Sequence, residues 1–486
     1  MAYIAPVLNV LARILVGYAA MFLVPLAWGW WLDPAEVQNV WWVAIAATAG
    51  SGFLLWYVTM NYRRELMPRD GFLLVNLVWT VLPAFSAIPL MLAIPGLSWT
   101  DAYFEAMSGL TATGATALAG LDALPVSVNV WRCFLQLIGG LGVMLLVVAV
   151  LPLLGLGGVQ LYKAETPGPM KDTRLTPRIA ETARGLWGVY FVFSAACMLA
   201  YFYAGMSWAD AFMHMCSTMG LGGFSSHDAS FGYWNSRNLE SVSMVFMALA
   251  GISFARYFIV WRSRSLRSLM RDLEVQAYVL TLTLSSLFLG VWLVSHEVYD
   301  QPLEAVRIAA FHVVSLATTT GYASTDYSLW PVFAPVWLMF LGSFVTCAGS
   351  TGGGIKMVRM VLLVKQAQRE LVRTIHPRVV NPVTMGGANI PATVIAAVMA
   401  YMLIYGAITL GLTMLMLLSG LDIITAFSVV VATVNNIGPG LGHVGPASNF
   451  GVLNDFQTWI CTVGMFMGRL ELLAVMVLFV PQFWRK

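Results

Sequence analysis

Apolar stretches of roughly 20 to 30 residues, the length of a membrane span, alternate with short polar or basic connectors along the 486-residue chain. The first two stretches run over about 7–31 and 38–60. After residue 70 one pattern recurs four times. A long apolar span leads into a short segment that cannot cross a membrane and ends in Thr- and Gly-rich sequence. A second apolar span then returns to a basic connector. These patterns predict an all-α polytopic membrane protein with two N-terminal transmembrane helices and four pseudo-symmetric membrane–loop–membrane repeats. The expected boundaries are 1–68 for the extra pair, then 69–162, 163–272, 273–378 and 379–486 for the repeats.

The four short segments align by hand. The first reads FEAMSGLTATG (104–114), the second FMHMCSTMGLG (212–222) and the third FHVVSLATTTG (311–321). Each of these carries Phe, then Ser or Cys four residues on (Ser108, Cys216, Ser315), then Gly six further. The fourth, FSVVVATVNNIG (427–438), is one residue longer in this alignment. One such stretch would pass for an ordinary extracellular turn. Four at matched positions, each between two spans, point to related units around a common axis.

Composition sharpens the membrane assignment. The chain is 59% hydrophobic and 10% charged, against about 25% charged in soluble domains. Net charge is +3, which gives no ground for a nucleic-acid partner. The five cysteines are scattered without a CxxC pair and read as buried thiols; the six histidines lack metal-ligand spacing. The stretch at about 14–31 lacks a small-residue cleavage site and reads as a retained span. Basic residues concentrate in one set of connectors: Arg63, Arg64 and Arg69; Lys163, Lys171, Arg174, Arg178 and Arg184; Arg262, Arg264, Arg267 and Arg271; Lys356, Arg359, Lys365, Arg369, Arg373 and Arg378; and the terminal Arg485 and Lys486. The opposite set holds little more than Arg132, Arg237 and Arg307. The positive-inside rule makes the basic connectors cytoplasmic. Two spans precede the first of them, so both termini are expected in the cytoplasm.

The chemistry of the short segments suits a cation. A half-helix ending at membrane depth must hand over to backbone that is buried in protein or lines water. Its C-terminus carries partial negative charge, and the carbonyls of the extended part can replace a cation's water shell. Glycine permits the backbone angles that aim successive carbonyls inward; Thr hydroxyls can add oxygen ligands. The segments contain no ring of Asp or Glu, which fits dehydration of a monovalent ion. The four repeats are therefore expected to surround a central ion pore. The expected filter residues are Thr111, Ala112, Thr113 and Gly114; Met219, Gly220, Leu221 and Gly222; Thr318, Thr319, Thr320 and Gly321; and Asn435, Asn436, Ile437 and Gly438. These residues alone are the expected K⁺ sites.

The motifs SGLTATGAT (108–116), STMGLGGFSS (217–226), SLATTTGYAS (315–324) and VNNIGPGLG (434–442) resemble those of the Trk/Ktr/HKT superfamily of K⁺ transporters, specifically the membrane subunit of the bacterial TrkH type. The resemblance covers nearly the whole chain. It implies one filter glycine per repeat, namely Gly114, Gly222, Gly321 and Gly438, with Gly220 a competing assignment in repeat two. Gly114 stands where some Na⁺-preferring plant relatives carry Ser, which implies K⁺. The resemblance also implies a homodimer in the bacterial inner membrane. It further implies a separate cytoplasmic TrkA-type subunit with Rossmann-like domains that would carry the regulating nucleotide, ATP/ADP or NAD. No covalent cofactor is expected on this chain. The basic connectors offer that subunit a docking surface, although contact with lipid headgroups explains the same charges.

Two interior features remain. TCAGSTGGGIK (346–356) places Gly349, Ser350, Thr351, Gly352, Gly353, Gly354 and Lys356 inside a span, where four glycines make a continuous helix unfavourable. It lacks the GxxxxGK[ST] order of a nucleotide loop. It reads either as a packing kink or, as the resemblance implies, as an intramembrane gate below the filter. Arg469 and Glu471 fall within the last apolar stretch, about 459–483; charge at that depth faces a cavity or a partner. Two residues apart, they point to different helix faces. Arg469 is either one half of a structural ion pair or, by resemblance, a pore-facing gate residue that repels cations. The expected function is K⁺ conduction, extending to Rb⁺ and weakly to Na⁺. An H⁺- or Na⁺-coupled symporter stands as the alternative. No Ser/His, Asp/Asp or His/Glu constellation supports an enzyme.

Overall fold

The computed structural model describes residues 4–149, except 63 and 65, and 176–485. Arg63, Lys163, Lys171, Arg174, Lys486 and the expected boundary at 162/163 lie outside the described residues.

Helices α1 (Ala5–Leu32) and α2 (Ala35–Thr59) form an antiparallel hairpin. Asn9 donates to Thr59 at 3.1 Å across it. The hairpin packs on the first repeat, which begins with α3 (Pro68–Ala93), continues through the short α4 (Trp99–Leu110) and returns in α5 (Val126–Ala149). Asp33, at the hairpin turn, accepts from the amides of Val126 and Ser127 at 2.8 Å. It thereby caps the N-terminus of α5, where donors are unpaired and the dipole favours an anion.

The same order recurs in the other repeats. Repeat two has α6 (Thr176–Tyr203), the short α7 (Trp208–Gly220) and a second span split into α8 (Arg237–Ala250) and α9 (Phe254–Ser263), which meet at 84°. Repeat three has α10 (Leu273–Ser295), the short α11 (Pro302–Ala317), and then α12 (Phe333–Gly342) and α13 (Met357–Ile375), separated by a non-helical loop. Repeat four has α14 (Ala392–Leu418), the short α15 (Ile423–Val434) and α16 (Asp455–Arg469), which bends by 103° into α17 (Leu473–Phe479). Among the described residues, seven helices are long and apolar enough to cross a membrane, and up to nine if each bent pair counts as one span.

The short helices begin where sequence supplies a cap. Ser98, Ser207 and Asp422 accept from the third helical amide at 3.0, 3.1 and 3.0 Å, a contribution of about 1 kcal/mol each. α11 instead opens on Pro302, whose missing N–H costs nothing at the first position. Two of the three exceptions to the charge asymmetry are paired. Arg132 meets Glu105 at 2.8 Å, and Arg307 meets Glu240.

The last span departs from expectation. Arg469 and Glu471 do not sit inside a continuous helix. Glu471 and Leu472 have φ of 58° and 52°, a positive range that non-glycine residues rarely adopt, and the helix ends at Arg469 just before them.

Candidate ion-conduction site

Each short helix ends in the same turn. The amides of Thr113, Gly222, Thr320 and Ile437 donate to the carbonyls of Ser108, Ser217, Ser315 and Ala432 at 2.9, 2.9, 2.8 and 2.8 Å. The residue before each of these amides is non-glycine yet left-handed: Ala112, Leu221, Thr319 and Asn436, with φ between 48° and 61°. The residue after is a glycine at positive φ: Gly114 (83°), Gly223 (76°), Gly321 (87°) and Gly438 (102°). The same left-handed pair, costly at the non-glycine residue, thus recurs at four equivalent positions.

Repeat two departs from the register expected from its sequence. Gly223, not Gly222 or Gly220, is the counterpart of Gly114. In this register Met219 matches Leu110, the last residue of α4, and Gly220 matches Thr111. Repeat four is not one residue longer; its register starts at Ser428 rather than Phe427. Phe104 and Phe311 are fully buried, whereas Phe427 is 54% exposed on an outer face and Phe212 only half-buried. The Phe residues of repeats two and four therefore mark a different side of the helix.

The four glycines close a ring. A Cβ built on Gly114 would lie 1.9 Å from the Gly222 carbonyl oxygen; on Gly223, 1.9 Å from that of Thr320; on Gly321, 2.3 Å from that of Ile437; and on Gly438, 2.8 Å from that of Thr113. Each glycine faces the carbonyl preceding the next repeat's glycine, in the order one, two, three, four and back to one. The hydroxyls of Thr113 and Thr320 are engaged by Thr111 and Thr318 at 2.7 and 2.8 Å. Asn436 also donates to Thr113 at 2.9 Å, joining repeats four and one. Thr hydroxyls are thus committed to protein partners, and backbone carbonyls are the oxygens gathered around the ring.

Outside the ring, a cavity of about 80 Å³ is lined by Gly114, Gly223, Gly321 and Pro439 among others. On the opposite side the loop between α12 and α13 is packed directly against the ends of the short helices. Thr351 donates its hydroxyl to the Met219 carbonyl at 2.9 Å, and the Gly353 amide donates to the Thr319 hydroxyl at 2.9 Å. A Cβ on Gly353 would lie 2.1 Å from the Asn435 carbonyl oxygen, and one on Gly352 3.0 Å from that of Thr318. Only glycine tolerates this approach. The loop also reaches the break between α8 and α9: the Cys347 amide donates to the Gly251 carbonyl, and the Phe254 amide to that of Gly349. The space left among the loop, Gly468, Arg469 and Glu471 is about 20 Å³, room for about one water.

Arg469 is buried and donates to the Thr351 carbonyl at 2.8 Å; its other guanidinium nitrogens have no protein partner among the described residues. Glu471 pairs with Arg359 of α13. Arg359 also donates to the Ile355 carbonyl at 3.2 Å and lies 4.2 Å over the Tyr401 ring. Lys356 donates to the Gly352 carbonyl within its own loop. The residues at 349–356 and Arg469 are therefore brought together, whereas Glu471 belongs to a separate contact between repeats three and four.

The family described as TrkH, cation transport protein, matches residues 35–486. The chain belongs to the TrkH family. Its members are ion transporters, not enzymes. Among TrkH relatives, the Trk system potassium uptake protein TrkH of Vibrio parahaemolyticus is 43% identical over 89% of this chain and 90% of its own length. The Trk system potassium uptake protein TrkG of Escherichia coli is 39% identical over 88% of each. A crystal structure of the potassium transporter TrkH from Vibrio parahaemolyticus superposes with a TM-score of 0.91 at 37% identity, covering 100% of both chains. Like those TrkH proteins, this chain is a multi-pass membrane protein.

Proposed function

We propose that this chain takes up K⁺ across the bacterial inner membrane as a gated, channel-like pore, with both termini in the cytoplasm. The closed ring of four glycines and four neighbouring carbonyls carries the reading. K⁺ would shed water between the carbonyls of Thr113, Gly222, Thr320 and Ile437, which stand in for its hydration shell. Four short-helix C-termini would favour a cation beneath them. The names of the relatives support K⁺ as the ion, and Gly114 in place of Ser agrees with it.

The loop at 343–356, bonded to the underside of two of the four segments and to Arg469, is the gate in this reading. A proton-coupled symporter needs a free titratable group at mid-membrane. Glu471, one candidate for that group, is already paired with Arg359, which favours conduction. Working as a homodimer with a TrkA-type nucleotide-binding subunit on the basic face of α13 extends the same proposal to its regulation.

The test is flux from purified protein in liposomes. K⁺ flux following the K⁺ gradient without fixed H⁺ stoichiometry, with Gly114→Ser and Gly223→Ser both lowering K⁺ over Na⁺ discrimination, supports the reading. Wild-type discrimination in both variants would sink it.

A further inference from the structure

Arg132 of α5 and Glu105 of α4 are both fully buried. Buried ion pairs persist only where desolvation is offset by complete hydrogen bonding, and this one is complete. Two guanidinium nitrogens of Arg132 meet Glu105 at 2.8 Å. The remaining bonds go to the Thr116 hydroxyl at 3.2 Å, the Asn129 side-chain carbonyl at 3.0 Å and the Ser225 carbonyl at 3.2 Å. The guanidinium lies 4.4 Å over the Phe224 ring. Glu105 in turn accepts from the Thr116 hydroxyl and the Ala117 amide, both at 3.0 Å.

One turn along α5, Gln136 donates to the Gly222 carbonyl at 2.8 Å and accepts from the Phe224 amide at 3.1 Å. Thr116 and Ala117 belong to the chain leaving Gly114; Phe224 and Ser225 belong to the chain leaving Gly223. One helix of repeat one therefore grips the exits of two neighbouring ring segments and one ring carbonyl directly.

His214 and His312, the counterparts of Glu105, also bond the exits of their own segments, at Ser225 and the Ser324 amide, but the Arg132 and Gln136 half of the device is absent from repeat four. Gly139 of α5 and Gly468 of α16 are counterparts, since a Cβ on each would lie 2.0 and 1.9 Å from the matching carbonyls of Leu110 and Val434. Seven and three residues before Gly468 stand Cys461 and Met465, where α5 has Arg132 and Gln136. Apolar residues suffice to pack that span, so the charged and amide side chains of α5 serve something other than packing.

We propose that Glu105, Arg132 and Gln136 are positioning residues that set K⁺ over Na⁺ discrimination by fixing the carbonyl of Gly222 and the exits of segments one and two. This rests on reading the ring as the selectivity filter. A carbonyl cage discriminates between ions only if its oxygens cannot relax onto the smaller one. A pair that cannot slip without stranding a buried charge resists that relaxation on the side where it acts.

The experiment measures the K⁺/Na⁺ flux ratio and the thermal midpoint of the reconstituted full chain. The variants are Gln136→Met, Arg132→Lys and the milder Thr116→Val, with Gly223→Ser measured alongside. Gln136→Met and Arg132→Lys are expected to lower the ratio about three- to tenfold, the fold-change of one lost hydrogen bond, in protein that still folds. Thr116→Val is expected to lower it less, which keeps the test decisive if a stronger variant misfolds. A purely structural role would lower the thermal midpoint and leave the ratio of the folded protein unchanged; that result, with Gly223→Ser still lowering the ratio, overturns the proposal. An unchanged ratio in Gly223→Ser removes the filter reading itself.

Discussion

Replacing Arg469 with alanine perturbs the proposed gate at one atom pair. Among the described residues its guanidinium makes a single protein hydrogen bond, 2.8 Å to the Thr351 carbonyl of the loop. Glu471, the nearest acidic residue in sequence, is taken by Arg359. The arginine stays charged at any relevant pH, so Arg469→Ala removes two things. The first is a charge-assisted hydrogen bond, worth about 1.5–3 kcal/mol, that holds the loop closed. The second is a fixed positive charge beneath the ring; a passing K⁺ at about 4 Å and an effective dielectric near 20 would meet roughly 4 kcal/mol of repulsion. The lost hydrogen bond alone shifts the loop toward the open state by on the order of ten- to a hundredfold. Flux assays on liposomes without a partner subunit should show at least that increase in basal K⁺ flux. Arg469→Lys should stay closer to wild type, since it keeps the charge and loses only the planar fork. Folded Arg469→Ala protein with unchanged or abolished flux would refute the reasoning and leave Arg469 as a structural contact.

Deleting 349–354 should raise basal flux in the same assay; normal insertion with unaltered flux would make the segment a packing kink. Glu471→Gln strands the buried Arg359 beside Tyr401, so a thermal-melt assay should show a loss of about 3–5 kcal/mol, and a charge-reversed Glu471→Arg/Arg359→Glu pair should recover part of it. The loops beside the first two short helices carry a pH-sensitive clasp in which His227 contacts Asp122 of repeat one and lies 3.5 Å from Asp210 of repeat two. Asp228 faces the same loop and accepts from the Gly120 and Leu121 amides. His214, from the adjoining short helix, bonds Ser225, and Tyr233 stacks on the His227 ring at 3.6 Å. Burial lowers the proton affinity of His227, but Asp210 and Asp122 outweigh it and raise the pKa above 6.5. For Asp122, burial acts upward and is outweighed by His227, leaving it below 3.8. The clasp thus stabilises fully between about pH 4 and 6.5 and weakens as pH rises through the folded-state value of His227. Thermal midpoints from pH 5 to 9 should fall more in wild type than in His227→Gln, and parallel profiles would count against the clasp.

Much of the architecture is legible in the chain because membrane burial writes strong signals. Twenty-residue apolar runs, basic connectors and four Thr/Gly-rich segments survive without any knowledge of packing. The register within a repeat does not survive as well. Phe212 and Phe427 imitate the buried Phe104 and Phe311, yet a helix buries different faces in different repeats, and three close glycines at 220, 222 and 223 leave the choice to backbone geometry. The breaks at Gly251 and at Glu471–Leu472 carry no proline or glycine cluster to announce them; contacts with the loop and with α13 impose them. Glu105 and Gln136 were invisible for a related reason. A carboxylate within an apolar half-helix acquires meaning only when an arginine 27 residues away is seen to meet it.

In the proposed pore a cation sits on the axis enclosed by the carbonyls of Thr113, Gly222, Thr320 and Ile437. Crystals of the full chain soaked in Rb⁺, a K⁺ surrogate with an anomalous signal, test it directly. The account predicts an anomalous peak on that axis, within coordinating distance of those carbonyls and lost in Gly223→Ser. An empty ring in crystals that bind Rb⁺ elsewhere, or an axial peak untouched by that substitution, would contradict it.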